Sequence, residues 1–172
     1  MSLHILDIAE NSVNAGARNV EIAVTEDVSA DVLSIEITDD GRGMEPEGAE
    51  RAADPFYTTK TAKRVGLGLP LLKQAAAATG GTMEVRSQPG GGTTVRALFH
   101  LSHIDRAPLG DMAATLVMLV AGNPEVRFRY RYEHKFTFDT SDLKALVQDV
   151  SLSSPETLAF IREYIAEHMR GS

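Results

Sequence analysis

The chain has 172 residues, 43% of them apolar and 24% charged, which suits a soluble core in one domain, or in one domain with an appendix. A formal charge of −7 speaks against a surface that coats nucleic acid, since phosphate contacts need a basic face. The absence of cysteine excludes disulfides, thiolate metal sites and cysteine nucleophiles.

The N-terminus lacks the basic start and apolar run of a signal peptide. The longest apolar stretch, Ala113 to Ala121, is too short to span a bilayer. A cytoplasmic protein with no membrane contact is the expectation.

Met1 to Gly16 reads as a helix, with Leu3, Leu6 and Val13 at helical spacing, Ile5, Ile8 and Ala9 on the flank, and Gly16 as its stop. Asn19 to Val24 and Val32 to Thr38 alternate apolar and polar residues and read as strands, joined by a turn over Glu26 to Asp31. A short helix is expected over Glu47 to Ala53, then a loop over the polar, basic stretch Tyr57 to Gly66. Leu69 to Thr79 reads as a helix with Pro70 in its first turn and Gly80-Gly81 as its stop. Thr82 to Ser87 and Thr93 to His100 read as a hairpin joined by Gln88-Pro-Gly-Gly-Gly92.

Beyond His103, Asp111 to Ala121 reads as an apolar helix ending at Gly122-Asn-Pro. Glu125 to Tyr132 alternates strictly, with Val126, Phe128, Tyr130 and Tyr132 on one face and Arg127, Arg129 and Arg131 on the other. Lys135 to Asp139 is its expected partner strand. Ser141 to Val150 and Pro155 to Arg170 read as helices, the second capped by Ser154. The arginine face suits either an acidic partner or a solvated strand.

Four segments in the first half carry chemistry. Asp7 and Asn11, one turn apart, project from one face of the first helix. An amide oxygen is a hard neutral ligand suited to Mg²⁺, and a carboxylate beside it can direct a water or accept a proton; the same pair also suits the wet face of any amphipathic helix. Asp39-Asp-Gly-Arg-Gly43 follows a strand directly. A carboxylate there can accept from an exocyclic amine while the glycines let the backbone approach a ligand, though an ordinary Asp-Gly turn looks the same. Asp54-Pro-Phe-Tyr-Thr-Thr-Lys60 comes next, followed by Lys63 and Arg64, a basic loop fit for phosphate or for solvent. Gly66-Leu-Gly68 then opens a helix, where backbone N–H groups make an anion site. It is neither a Walker loop nor a dinucleotide fingerprint, because no Gly-Lys-Ser/Thr follows and no strand leads in.

In this order the segments resemble the N, G1, F and G2 boxes of the Bergerat-fold ATPases, the superfamily of gyrase, the large heat-shock chaperone, histidine kinases and mismatch-repair ATPases. The resemblance runs over about residues 3 to 102 and includes Gly80-Gly-Thr-Met-Glu-Val-Arg-Ser and Gly90-Gly-Gly-Thr-Thr-Val-Arg-Ala-Leu-Phe, which look like the closing strands of the kinase branch. It implies an α/β two-layer sandwich, a mixed sheet with helices on one face. It divides the chain into an ATP-binding domain over 1–104 and an α+β extension over 105–172, the latter packed on the same body or on a second subunit.

The resemblance also implies ATP and Mg²⁺ as cofactors. Asn11 would be the metal ligand and Asp39 the adenine reader, with Gly41 and Gly43 at the floor near the base. Asn14, Met44, Leu67, Leu69 and Thr93 would line the nucleotide. Phe56 would pack at a lid hinge, Thr59, Lys60 and Arg64 would approach phosphate, and Gly66 and Gly68 would lend lid amides. Asp7 holds the place of a mismatch-repair catalytic glutamate, one methylene shorter, and with Lys60 makes up the expected catalytic pair; Glu10 points about 100° away around the helix.

Because the first box lies within a few residues of Met1, no segment with a phospho-accepting histidine is expected before it. The expectation is therefore a stand-alone kinase-type protein that passes the γ-phosphoryl of ATP to a partner protein. The alternatives are a nucleotide-responsive binding module without transfer, and a slow ATPase of the mismatch-repair kind. A homodimer is compatible with either.

Overall fold

In the computed structural model, residues 1–52, 67–133, 135–146 and 151–170 are described. Their elements run in the order α1 (Ser2–Asn14), β1 (Asn19–Asp27), β2 (Val32–Asp39), α2 (Pro46–Ala52), α3 (Gly68–Ala78), β3 (Thr82–Gln88), β4 (Gly92–His100), α4 (Met112–Gly122), β5 (Arg127–Tyr132), β6 (Phe136–Asp139), α5 (Thr140–Leu146) and α6 (Pro155–Arg170). The strands form one mixed sheet in the order β3-β4-β2-β1-β5-β6. Only the β1–β5 pair is parallel among them.

Alternation decides which face is covered. Val20, Ile22 and Val24 of β1, Leu33, Ile35 and Ile37 of β2, Val95, Ala97 and Phe99 of β4, and Phe128 and Tyr130 of β5 are all buried. They share one continuous core with Ile5, Ile8 and Ala9 of α1, Leu72 and Ala76 of α3, Leu116 and Leu119 of α4 and Ile161 and Ile165 of α6. The result is the expected sandwich of one sheet with helices on one face.

Helix starts follow their caps. Asp111 accepts from the Ala114 N–H at 2.8 Å, and Ser154 Oγ accepts from the Thr157 N–H at 3.2 Å, so both helices begin one residue after a polar cap. At the other end of α1, Gly16 adopts φ +81 and turns the chain into β1.

Residues after 104 continue the same sheet. β5 pairs with β1 from Asn19↔Arg127 to Val24↔Tyr132, and β6 closes that edge. The connection from β4 to α4 is clasped to the chain's start, where the Met1 ammonium donates to the Pro108 carbonyl at 2.9 Å and the Ser2 N–H to the Leu109 carbonyl at 2.7 Å.

The arginine face is neither free nor simply solvated. Arg127 and Arg129 donate to Asp139 Oδ2 at 2.6 and 3.0 Å, and Arg129 and Arg131 both reach Glu21 on β1. Asp139 also accepts from the Ser141 N–H and hydroxyl at 2.9 and 2.7 Å. Burial alone would raise the Asp139 carboxyl. The bonds from Arg127, Ser141 and Arg129 outweigh it and hold the group well below the usual carboxylate range.

Asp139 has a side chain only 1% exposed, whereas its arginine partners are 43% exposed and can turn to water. Asp139→Asn is predicted to cost about 1–2 kcal/mol through its weakened charge-assisted bonds and to lower the midpoint of thermal unfolding by several degrees. Because the folded pKa lies below the unfolded one, the stabilisation is complete above pH about 4 and is lost as pH falls further. The gap between wild type and variant, followed by urea unfolding, should therefore narrow on acidification.

Candidate nucleotide site

The site gathers at the C-terminal end of β2. Asp39 is the last residue of that strand and points to the helix-covered face, 9% exposed. Its Oδ2 accepts from the Ser12 hydroxyl on α1 at 2.7 Å, and its Oδ1 accepts from the Gly41 N–H at 2.9 Å. A carboxylate held in an apolar layer survives only with such partners.

Asp40 points the opposite way. It accepts from the Arg18 and Asn19 N–H groups at 2.7 and 2.8 Å and from the Asn19 side-chain amide at 2.6 Å. Burial acts to raise its carboxyl, and these bonds hold it below the ordinary value. The two adjacent aspartates thus divide the work: Asp40 staples the start of β1, and Asp39 faces the site.

The loop after β2 is pinned on both sides. The Arg42 N–H donates to the Ala15 carbonyl at 3.0 Å, and the Gly90 N–H donates to the Arg42 carbonyl at 2.7 Å. Gly43 adopts φ +66, and a Cβ there would run into the Gln88 carbonyl. The Met44 N–H donates to Ser87 Oγ at 2.8 Å, and Ser87 in turn bonds the Thr93 hydroxyl at 2.9 Å. Thr93 stands directly across from Asp39 in the β2–β4 register. Asp39, Gly41, Gly43, Met44 and Thr93 therefore sit around one strand end.

Asp7 and Gly68 also meet. The Gly68 N–H, in the first turn of α3, donates to Asp7 Oδ2 at 2.5 Å. A Cβ on Gly68 would press on the same carboxylate. Asp7 thus holds the N-terminus of α3 with one oxygen, in the manner of a cap, rather than standing open beside Asn11. Leu67 is 49% exposed, and Leu69 packs against the core's edge.

Asn11 and Asn14 lie exposed on the last turns of α1. Among the described residues no group of three or more histidines and carboxylates could hold a metal ion. One exposed amide oxygen fits Mg²⁺ in its usual habit, with few protein ligands and the rest from water and phosphate. Phe56, Thr59, Lys60, Arg64 and Gly66 lie outside the described residues.

Two contributors were not read from the sequence. Ser12 looks like filler on the inner face of α1, and Ser87 looks like the end of a strand. Only contacts to distant residues give them a role.

The fold agrees with comparison to known proteins. Residues 3–103 match the family of histidine kinase-, DNA gyrase B- and HSP90-like ATPases, and the chain belongs to that family. Its ATP-binding domain is of the histidine-kinase kind. The chain is 37% identical over 105 residues to the sensor protein kinase FleS of Pseudomonas aeruginosa, covering 61% of this chain and 25% of that protein. It is 32% identical over 119 residues to the non-motile and phage-resistance protein of Caulobacter vibrioides, covering 64% of this chain and 14% of that protein. The chain thus spans a quarter or less of these relatives' length.

Among solved structures, the MutL ATPase domain of Aquifex aeolicus, complexed with ADP, superposes with a TM-score of 0.51 at 18% identity, covering 86% of this chain and 67% of that one. This likeness is one of fold, and it reaches beyond the family match into the second half of the chain. Among the described residues no helix is long and apolar enough to cross a membrane.

Gly43→Ala is predicted to destabilise the fold by about 2–3 kcal/mol, because it combines a strained φ with a backbone collision. It should also reduce nucleotide binding beyond what unfolding explains, measured by calorimetry at a temperature where the variant is folded.

Proposed function

We propose that this chain binds Mg·ATP and passes the γ-phosphoryl to a side chain of a partner protein. The observation that carries the reading is the buried Asp39 carboxylate, bonded once on each oxygen and left with acceptor capacity at the strand end. Adenine offers a matching amine at its 6-position. Asn11 would supply the protein's oxygen to Mg²⁺, whose charge offsets that of the phosphates.

Lys60 is proposed to neutralise the γ-phosphate, with Thr59 and Arg64 beside it. In the transfer, the acceptor atom bonds to Pγ as the bond to the β–γ bridging oxygen breaks. ADP leaves, and the acceptor's proton passes to solvent. Catalysis of this kind is mostly positioning and charge neutralisation.

The bond between Asp7 and Gly68 favours a second reading over hydrolysis. One Asp7 oxygen is committed to α3, so a water-directing role would fall to the other alone. A nucleotide whose phosphates approach the N-terminus of α3 would compete with that bond and shift α3 against α1. Such a shift would serve a nucleotide-responsive module that docks a partner or a second copy.

Calorimetric titration with ATP, with and without Mg²⁺, tests the site. Wild type is expected to bind, and Asp39→Asn to bind at least about tenfold more weakly, since an amide can present N–H to the base amine. Asn11→Ala should bind ATP with little dependence on Mg²⁺. Phosphate release from the chain alone should stay close to background. Absence of binding by wild type would sink the proposal, and steady release would move it to the ATPase alternative.

A further inference from the structure

We propose that Ser12 is a specificity-setting positioning residue: its hydroxyl fixes the direction in which the Asp39 carboxylate accepts and so sharpens the site's preference for a nucleobase that carries an exocyclic amine. The inference rests on Asp39 being the group that contacts the base.

Ser12 lies on the inner face of α1, 4% exposed, in line with the buried apolar residues Ile5, Ile8 and Ala9. A hydroxyl there does nothing for packing. Its Oγ lies 2.7 Å from Asp39 Oδ2 and 3.2 Å from the Ile8 carbonyl. One hydroxyl proton serves one of these acceptors well, and the shorter, charge-assisted bond to the carboxylate is the stronger.

The consequence is a division of lone pairs. A carboxylate offers about four acceptor directions. The Gly41 N–H occupies one on Oδ1 at 2.9 Å and Ser12 one on Oδ2. What remains can only accept. An amine edge is taken, whereas a carbonyl edge meets lone pairs and is rejected.

Ser12 also limits rotation of the carboxylate, whose terminal torsion is otherwise broad. With the Gly41 N–H on one oxygen and Ser12 on the other, the acceptor direction is set before the nucleotide arrives. Because Ser12 follows Asn11 on α1, the base end and the candidate metal end are positioned by one helical turn.

The test compares ATP with purine riboside triphosphate, which lacks only the 6-amino group, by calorimetry in the presence of Mg²⁺. Wild type, Ser12→Ala and Ser12→Cys are titrated with each, and thermal unfolding without ligand checks that each variant folds. Wild type is expected to prefer ATP by about tenfold or more. Ser12→Ala should lose about tenfold for ATP and less than about twofold for the analogue, so that the preference collapses. Ser12→Cys, a weaker donor of similar size, should fall between, and it carries the comparison if the alanine variant does not fold.

Equal weakening for both nucleotides, with the preference kept, overturns the role of Ser12 while leaving Asp39 as the base reader. Equal binding of both nucleotides by wild type overturns the reading of Asp39 and this inference together.

Discussion

One buried carboxylate organises the candidate nucleotide site of this protein. Asp39 sits where the pattern of β2 would otherwise place an apolar side chain, facing the helices. A charge in that layer costs several kcal/mol unless its oxygens are bonded, and the surrounding structure is arranged to bond them. Residue 41 stays without a side chain because a Cβ there would stand 3.0 Å from Asp39 Oδ1 and 3.1 Å from the Ala15 Cβ. Gly92 likewise has no room for one against the Asp39 backbone. Ser12 ties the carboxylate to α1, and the loop that follows is pinned to Ala15 on one side and Gly90 on the other. The carboxylate, the helix and the hairpin therefore hold their positions jointly.

A second set of charges does comparable work on the opposite face. Glu21, Arg127, Arg129, Arg131 and Asp139 form a ladder across β1, β5 and β6. The three arginines are each paired with one or both of the two carboxylates, so none of them stands free on the open face of the sheet. Asp139 adds the N-terminal turn of α5 through Ser141, and Thr140 accepts from the Phe128 N–H at 3.0 Å. Residues after 104 are thus held by side-chain bonds as well as by strand pairing. Together with α4 and α6 they complete the cover over the β1–β5 half of the sheet.

On the covered face, α1 joins the parts of the candidate site. It carries Asp7 toward α3, Ser12 toward Asp39 and Asn11 toward solvent, while its apolar residues sit on the sheet. Of the two bonds, the one from Gly68 to Asp7 places an anion at the N-terminus of α3.

The elements themselves were legible in the sequence because their periods are strong. Strands with one buried face alternate, and α6 has Ser154 and Pro155 at its start, so local chemistry and the final structure agree. The motifs likewise marked the strand end at Asp39 and the helix start at Gly68, since glycine and aspartate reflect local backbone demands. Roles that depend on distant partners were not legible. The alternation of β2 already set Asp39 on the buried face with Leu33, Ile35 and Ile37, but the partners of Asp39 on α1 and of Asp40 at Arg18 and Asn19 came only with the fold. Asp7 reads as a base beside Asn11, and only the packing of α3 on α1 makes it a cap. Ser12 lies 27 positions from the carboxylate it bonds, and the arginines of β5 lie far from Glu21. The sequence by itself determined which backbone conformations and which functional groups are present. Tertiary structure decided which lone pairs and charges are already spent, because a hydrogen bond needs two groups within about 3 Å and only folding brings residues so far apart in the chain that close.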